Sequence, residues 1–122
     1  MPLVKIEIIK GKTQDYKNTL FEAVFEGFSN AISVPRENLY SRIYEMEDGN
    51  YERRPGRSDK YTVIEVNMLP NRDAMLKKSL IQEITRSLGE SLRIAPEEIF
   101  IIINDPPLEN WGHKGLPANE WF

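Results

Sequence analysis

Val4, Ile6 and Ile8 alternate with Lys5 and Glu7 in the opening stretch VKIEII. A two-residue period of this kind predicts a strand with one buried face. GKT then interrupts the pattern, and Thr13 suits the N-cap of a helix. Leu20, Phe21, Val24, Phe25, Phe28 and Ile32 follow at spacings of one, three and four, which makes one apolar stripe along that helix. VPREN ends it, because Pro35 disfavours helical geometry at Val34. LYSRIYE reads as a second strand.

The pattern returns about sixty residues later. YTVIEVNML is a β-rich run, Asp73 in PNRD is a helix cap, and Leu76, Leu80, Ile81, Ile84, Leu88 and Leu92 form a second stripe. IAPEE breaks the helix, and IFIIIN is apolar enough for a strand buried on both faces. GKTQDYK lies over PNRDAML, and SVPREN over IAPEEI. Two β-α-β units in tandem are expected, at residues 1–45 and 61–104, in a single domain over 1–122. A polar connecting loop or small hairpin is expected at 46–60, and 105–122 should lie against the body or a neighbouring subunit. Each unit makes its two strands parallel through a right-handed crossover. The fold class is therefore α+β, a four-stranded sheet with both helices on one face. The other face needs a partner, which points to an oligomer, unless that face is simply polar.

The 122 residues suit one domain, and 40% hydrophobic content allows a packed core. The formal charge of −3 gives no electrostatic reason for nucleic acid or an anionic membrane as partner. An open sheet binding single-stranded nucleic acid would want a basic stripe, which is missing. With no cysteine there is no disulfide or thiolate chemistry, and with His113 alone there is no three-histidine metal site. No metal or cofactor is called for. His113 reads as a surface histidine, and Arg53, Arg54 and Arg57 as a solvated basic run in the loop. No apolar run reaches the roughly 20 residues of a membrane span. Lys5 and Glu7 interrupt any signal-peptide core, so a cytoplasmic location is expected.

An N-terminal MP, an alternating strand, a GKT turn and an amphipathic helix, repeated in tandem, resemble the tautomerase superfamily. That superfamily includes 4-oxalocrotonate tautomerase, macrophage migration inhibitory factor, malonate semialdehyde decarboxylase and the 3-chloroacrylic acid dehalogenases. The length, VPREN and the C-terminal NDPPLENWGHKG are most similar to the decarboxylase branch. The resemblance implies a homotrimer whose sheets face inward. It also implies removal of Met1, leaving Pro2 with a free catalytic amine. An α-amine titrates at about 7.7–8.0, and burial lowers it, so a neutral Pro2 can act as a general base. Read without the family, Pro2 is a proline tolerated at a strand start.

By the same resemblance Arg72 is the catalytic, carboxylate-binding arginine; read alone, it is a solvated turn residue. Lys12 holds the matching place in the first unit, as a weaker carboxylate partner or a solvated turn residue. Asn38 stands where the decarboxylase carries a catalytic aspartate; it can hydrogen-bond substrate but cannot act as a base. Trp111 matches a pocket aromatic, and equally suits an apolar anchor for the C-terminal segment. The leading expectation is keto–enol tautomerisation of a small carboxylate-bearing keto or enol acid, phenylpyruvate-like or dienol. A decarboxylase or hydratase with protonated Pro2 is the alternative within the enzymes. A non-catalytic trimeric interaction protein is the alternative outside them.

Overall fold

The computed structural model describes residues 1–121. Strand β1 (Leu3–Ile9), helix α1 (Gln14–Ile32) and strand β2 (Tyr40–Met46) form the first unit. Strand β3 (Thr62–Asn67), helix α2 (Ala74–Leu92) and strand β4 (Ile99–Asn104) form the second. A two-stranded hairpin of β5 (Gly112–His113) and β6 (Leu116–Pro117) follows.

Each helix begins where a side chain takes up a backbone donor that the first turn leaves unbonded. The Thr13 hydroxyl accepts from the Tyr16 N–H at 3.1 Å, and the Asp73 carboxylate accepts from the Leu76 N–H at 2.8 Å. Each helix runs for 19 residues and ends on a left-handed residue, Ser33 or Arg93, whose N–H closes the last turn. Thr13 matches Asp73 and Ser33 matches Arg93, sixty residues apart in both cases. This corrects the repeat as read from sequence. Laying Gly11 on Pro70 and Ser33 on Ile94 is one residue out at each end, in opposite directions; the caps put Gly11 on Asn71 and Ser33 on Arg93, and Pro35 and Pro96 are not equivalent positions.

The sheet order is β2-β1-β3-β4, parallel within each unit and antiparallel where the units meet along β1 and β3. In that central ladder Leu3 faces Asn67, Lys5 faces Glu65 and Ile8 faces Thr62. Lys5 and Glu65 are themselves sixty apart, so a local two-fold passes between them. The start of β1 consequently lies beside the end of β3.

Val4, Ile6 and Ile8 share one face with Ile64, Val66 and Met68, and all six are buried. Leu20, Val24 and Phe28 of α1 and Leu80, Ile84 and Leu88 of α2 close that face. The helices pack on each other most tightly at Gly27, where an added Cβ would stand 2.7 Å from the Ile84 Cα. Among the described residues no helix covers the opposite face, although Tyr61 and Arg57 of the connecting segment approach its Phe100 ring. That face exposes Tyr40, Tyr44, Phe100 and Ile102, with Lys5 and Arg42 set against the Tyr44 ring.

Two expectations need correction. β4 is not buried on both faces: it is an edge strand, and Phe100 and Ile102 remain 45% and 48% exposed. Ile81 lies off the buried stripe of α2 and is exposed. Of the two forms expected for the connecting segment, the structure shows the loop, with a short helical turn at Asp48–Asn50 and a second turn closed by the Arg57 N–H on the Arg54 carbonyl at 3.1 Å, and Tyr51 stacks on Tyr61 at 4.8 Å. Among the described residues no helix is long and apolar enough to cross a membrane.

Gly27→Ala tests the helix contact. Alanine favours an isolated helix by about 1 kcal/mol over glycine. Here the new methyl meets backbone, so a net loss of about 1–3 kcal/mol is expected. Urea unfolding should show a lower midpoint at unchanged slope. A midpoint at or above wild type would mean the helices can part at no cost.

Candidate active site at one end of the sheet

The antiparallel join of β1 and β3 gathers several segments at one end of the sheet. β1 starts there, the turn before β2 ends there, and β3 and β4 finish there. Pro2 is buried at this end, and its carbonyl accepts from the Tyr40 N–H at 3.0 Å. A cleft of about 570 Å³ opens beside it, lined by Met1, Leu3, Asn38, Tyr40, Leu69, His113 and Trp121. That volume suits a small organic ligand. Burial holds the Met1 amino group below its ordinary value of 8.0, so a chain-terminal amine at this end is already partly desolvated.

Asn38 reaches the cleft because it closes the short turn Arg36–Asn38, which delivers the chain into β2 beside β1. Its N–H bonds to the Pro35 carbonyl at 3.0 Å. Arg72 stands at the same end of the sheet, since it follows β3, but it is exposed and is not part of the cleft wall. It lies between Asn71, which is left-handed at φ 83°, and the cap Asp73. The Asp73 carboxylate already takes the Leu76 N–H, so the start of α2 has its own anion.

Lys12 is not brought to this cleft. It follows the far end of β1 and donates to the Asp59 carbonyl at 2.5 Å, tying the connecting loop to the opposite end of the sheet. Trp111 is 7% exposed and also stands outside the cleft wall. Its indole donates to the Pro106 carbonyl at 3.3 Å, and its own carbonyl accepts from the Ala118 N–H at 3.0 Å. Trp111 therefore holds the C-terminal hairpin closed on itself. A second tie runs from Lys77 on α2 to Asp105, at 2.5 Å, which holds the Asp105 carboxyl below its ordinary value.

The hairpin's contribution to the cleft is His113 and Trp121. Their rings meet edge-on at 6.1 Å, and the Trp121 indole donates to the Leu116 carbonyl at 3.0 Å. Sequence reading missed both of these, together with Leu3, Tyr40 and Leu69. The strand alternation carried a signal for Leu3 and Tyr40, which pair directly on the uncovered face. His113 and Trp121 depend on a fold of the last segment that no periodicity reveals.

A family model described as a tautomerase enzyme matches residues 38–114, and a second model of the same description matches residues 2–59. The 2-hydroxymuconate tautomerase of Comamonas testosteroni is 36% identical over 56 residues, covering 46% of this chain and 89% of its own length. That relative is thus about half as long as this chain. Among solved structures, a fused 4-OT wild-type asymmetric trimer superposes with a TM-score of 0.84 at 20% identity, covering 96% of both chains. A malonate semialdehyde decarboxylase superposes with a TM-score of 0.83 at 20% identity, covering 96% of this chain and 94% of its own. At these identities the two structures establish the fold.

The two tryptophans are separable by experiment. Trp111→Ala should free the hairpin and make residues 112–117 a site of rapid limited proteolysis, with the helical core intact by circular dichroism. Trp121→Ala should leave the hairpin resistant, because the Trp111 anchor remains. Equal protection in both variants would mean that Trp111 is not the anchor.

Proposed function

Because this chain belongs to the tautomerase family of enzymes, we propose that it is an isomerase in which Pro2, freed of Met1, is the general base of a keto–enol tautomerisation. The observation that carries this reading is the placement of Pro2: it is buried in the chain between Met1 and Leu3, which both line the cleft, and it follows a terminal amine that burial already shifts toward neutrality. Loss of Met1 turns the Pro2 amide into a secondary amine and widens the cleft at the point where that amine sits.

A neutral amine has a lone pair to take a proton from the carbon beside a carbonyl, or from an enol hydroxyl. The resulting ammonium returns the proton to the other position. No net change in oxidation or composition occurs, and no cofactor takes part. Asn38 is suited to hydrogen-bond the oxygen on which negative charge develops. Leu3, Tyr40, Leu69 and Trp121 give the cleft apolar and aromatic walls, which favour a planar, conjugated acid of phenylpyruvate-like or dienol type. They also exclude water from the amine and keep it neutral. Arg72, exposed at the same end of the sheet, serves to draw anionic substrate toward the mouth.

The proposed assembly is a homotrimer. Support comes from the trimeric fused 4-OT with the same fold and from the uncovered face with Tyr40, Tyr44, Phe100 and Ile102 exposed.

Intact mass should show a protein lacking Met1. Activity on an aryl pyruvate enol should rise with pH through a single ionisation below 8, since burial lowers the amine and its neutral form is the active one. Pro2→Ala should lower kcat/KM by about 100-fold while leaving the oligomer intact. A rate that falls through the same ionisation would assign the protonated amine, as in a decarboxylase or hydratase. Full activity in Pro2→Ala would remove Pro2 from the mechanism.

A further inference from the structure

A second recess lies on the helix side of the sheet. It is a groove of about 260 Å³ between α1 and β2, lined by Phe21, Phe25, Arg36, Leu39 and Ser41. Leu39 packs against the core, and Ser41 pairs with buried Val4, so both turn toward the helices. Phe21 and Phe25 stand one turn apart on the flank of the buried stripe of α1. The groove shares no lining residue with the cleft, and it lies away from the sheet face that the proposed trimer covers.

The chemistry of this groove belongs to the first unit alone. The matching positions of the second unit, sixty residues on, are Ile81, Thr85, Pro96, Ile99 and Ile101. Ser41 thus leaves room where the other unit has a branched side chain, and Arg36 brings a charge where the other has proline. The Arg36 Cζ lies 4.7 Å from the centre of the Phe25 ring, a cation–π contact. Both terminal nitrogens of Arg36 donate to the Glu22 carboxylate, Nη1 to Oε2 at 2.8 Å and Nη2 to Oε1. A guanidinium fork above an aromatic ring therefore already holds a carboxylate at the mouth of the groove.

That carboxylate is replaceable. The side chains of Glu22 and Arg36 are 62% and 52% exposed, and an exposed pair of this kind contributes little to stability. At the floor, the Ser41 hydroxyl is shut off from solvent and has no hydrogen-bond partner among the described residues. Turning it into the groove toward a ligand oxygen breaks no bond and gains one.

We propose that the α1–β2 groove is a second binding site, for a small aryl carboxylic acid that bears a ring hydroxyl. Its carboxylate replaces that of Glu22 on Arg36, its ring lies against Phe21, Phe25 and Leu39, and its hydroxyl meets Ser41. A volume below the roughly 300–1,000 Å³ of drug-sized pockets limits the ligand to a single ring. The site is separate from the proposed reaction and does not rest on it. It holds an acid of the same chemical class as the cleft does, at a place remote from Pro2, and the bound acid ties α1 to the edge strand.

The test is a nuclear magnetic resonance titration of the isotope-labelled full chain with para-hydroxyphenylacetate. The amides of Phe25, Leu39 and Ser41 report the groove, and the Leu69 amide with the Trp121 indole reports the cleft. The groove signals should saturate on a curve of their own. The neutral amide of the same acid should bind the groove about tenfold more weakly, and Arg36→Gln should weaken the acid by about tenfold. Glu22→Gln should tighten it about two- to fivefold, since the competing carboxylate is gone. Ser41→Ala should bring para-hydroxyphenylacetate down to the affinity of phenylacetate. Ser41→Ile, which copies the matching position of the second unit, should abolish the groove shifts and spare those of the cleft.

Groove amides that do not move in wild type, as when a neighbouring copy covers the groove, overturn the proposal. So does a curve unchanged in Arg36→Gln while the spectrum shows the fold intact, or a curve weakened in Glu22→Gln. Failure of the cleft reading shows separately, as an unmoved Trp121 indole or as full activity in Pro2→Ala.

Discussion

The antiparallel ladder between β1 and β3 is the constraint on which the molecule depends. It joins two parallel β-α-β units around a two-fold between Lys5 and Glu65. It therefore sets the start of one unit against the finish of the other. Without that ladder Pro2 would have no neighbours from the second unit, and Leu69 would not reach the cleft. The ladder also fixes how the helices meet. Both lie on the same face of the joined sheet, and they approach until only a hydrogen fits at Gly27 against Ile84. The position sixty residues on, Ser87, is likewise fully buried, so a small side chain stands at the matching point of α2.

A two-fold produces two equivalent ends, yet the ends differ chemically. Where one has Pro2, Asn38, Tyr40 and Arg72, the other has Thr62, Glu98, Phe100 and Lys12, each displaced by sixty. At that second end the Thr62 hydroxyl donates to the Lys60 carbonyl at 2.8 Å. Glu98, nearly buried, accepts from the Ser58 N–H at 2.6 Å, and Lys12 donates to the Asp59 carbonyl. The connecting loop is bound at three points by side chains whose counterparts at the first end are a proline, an asparagine and an arginine. The polar groups that close one end are thus the same positions that leave the other open.

The fold was largely legible in the sequence because its two periods are strong. The alternation of Val4, Ile6 and Ile8 and the stripe through Leu20, Val24 and Phe28 each match one buried face. The edge position of β4 was not legible, since an apolar strand reads alike whether its second face meets helices or a neighbouring chain. At the site, Pro2 and Asn38 were brought together by elements that could be read. Arg72 and Lys12 could be placed in their turns but not at their ends of the sheet, because only the strand pairing says which turn lies beside which strand. His113 and Trp121 were hidden for a different reason. The final segment is held by single anchors, Trp111 above all, and by tight turns, neither of which leaves a repeating signature.

Joining the two units in one chain has a consequence for stoichiometry. Two separate half-length chains possess two α-amines; a fused pair possesses one. The nitrogen of Thr62 is an amide within the chain whatever residue stands there, so no substitution at position 62 can give the second end a terminal amine. The asymmetry between the ends is therefore set by connectivity before any side chain is chosen. Only a cut in the loop ahead of Thr62 would create a second chain start.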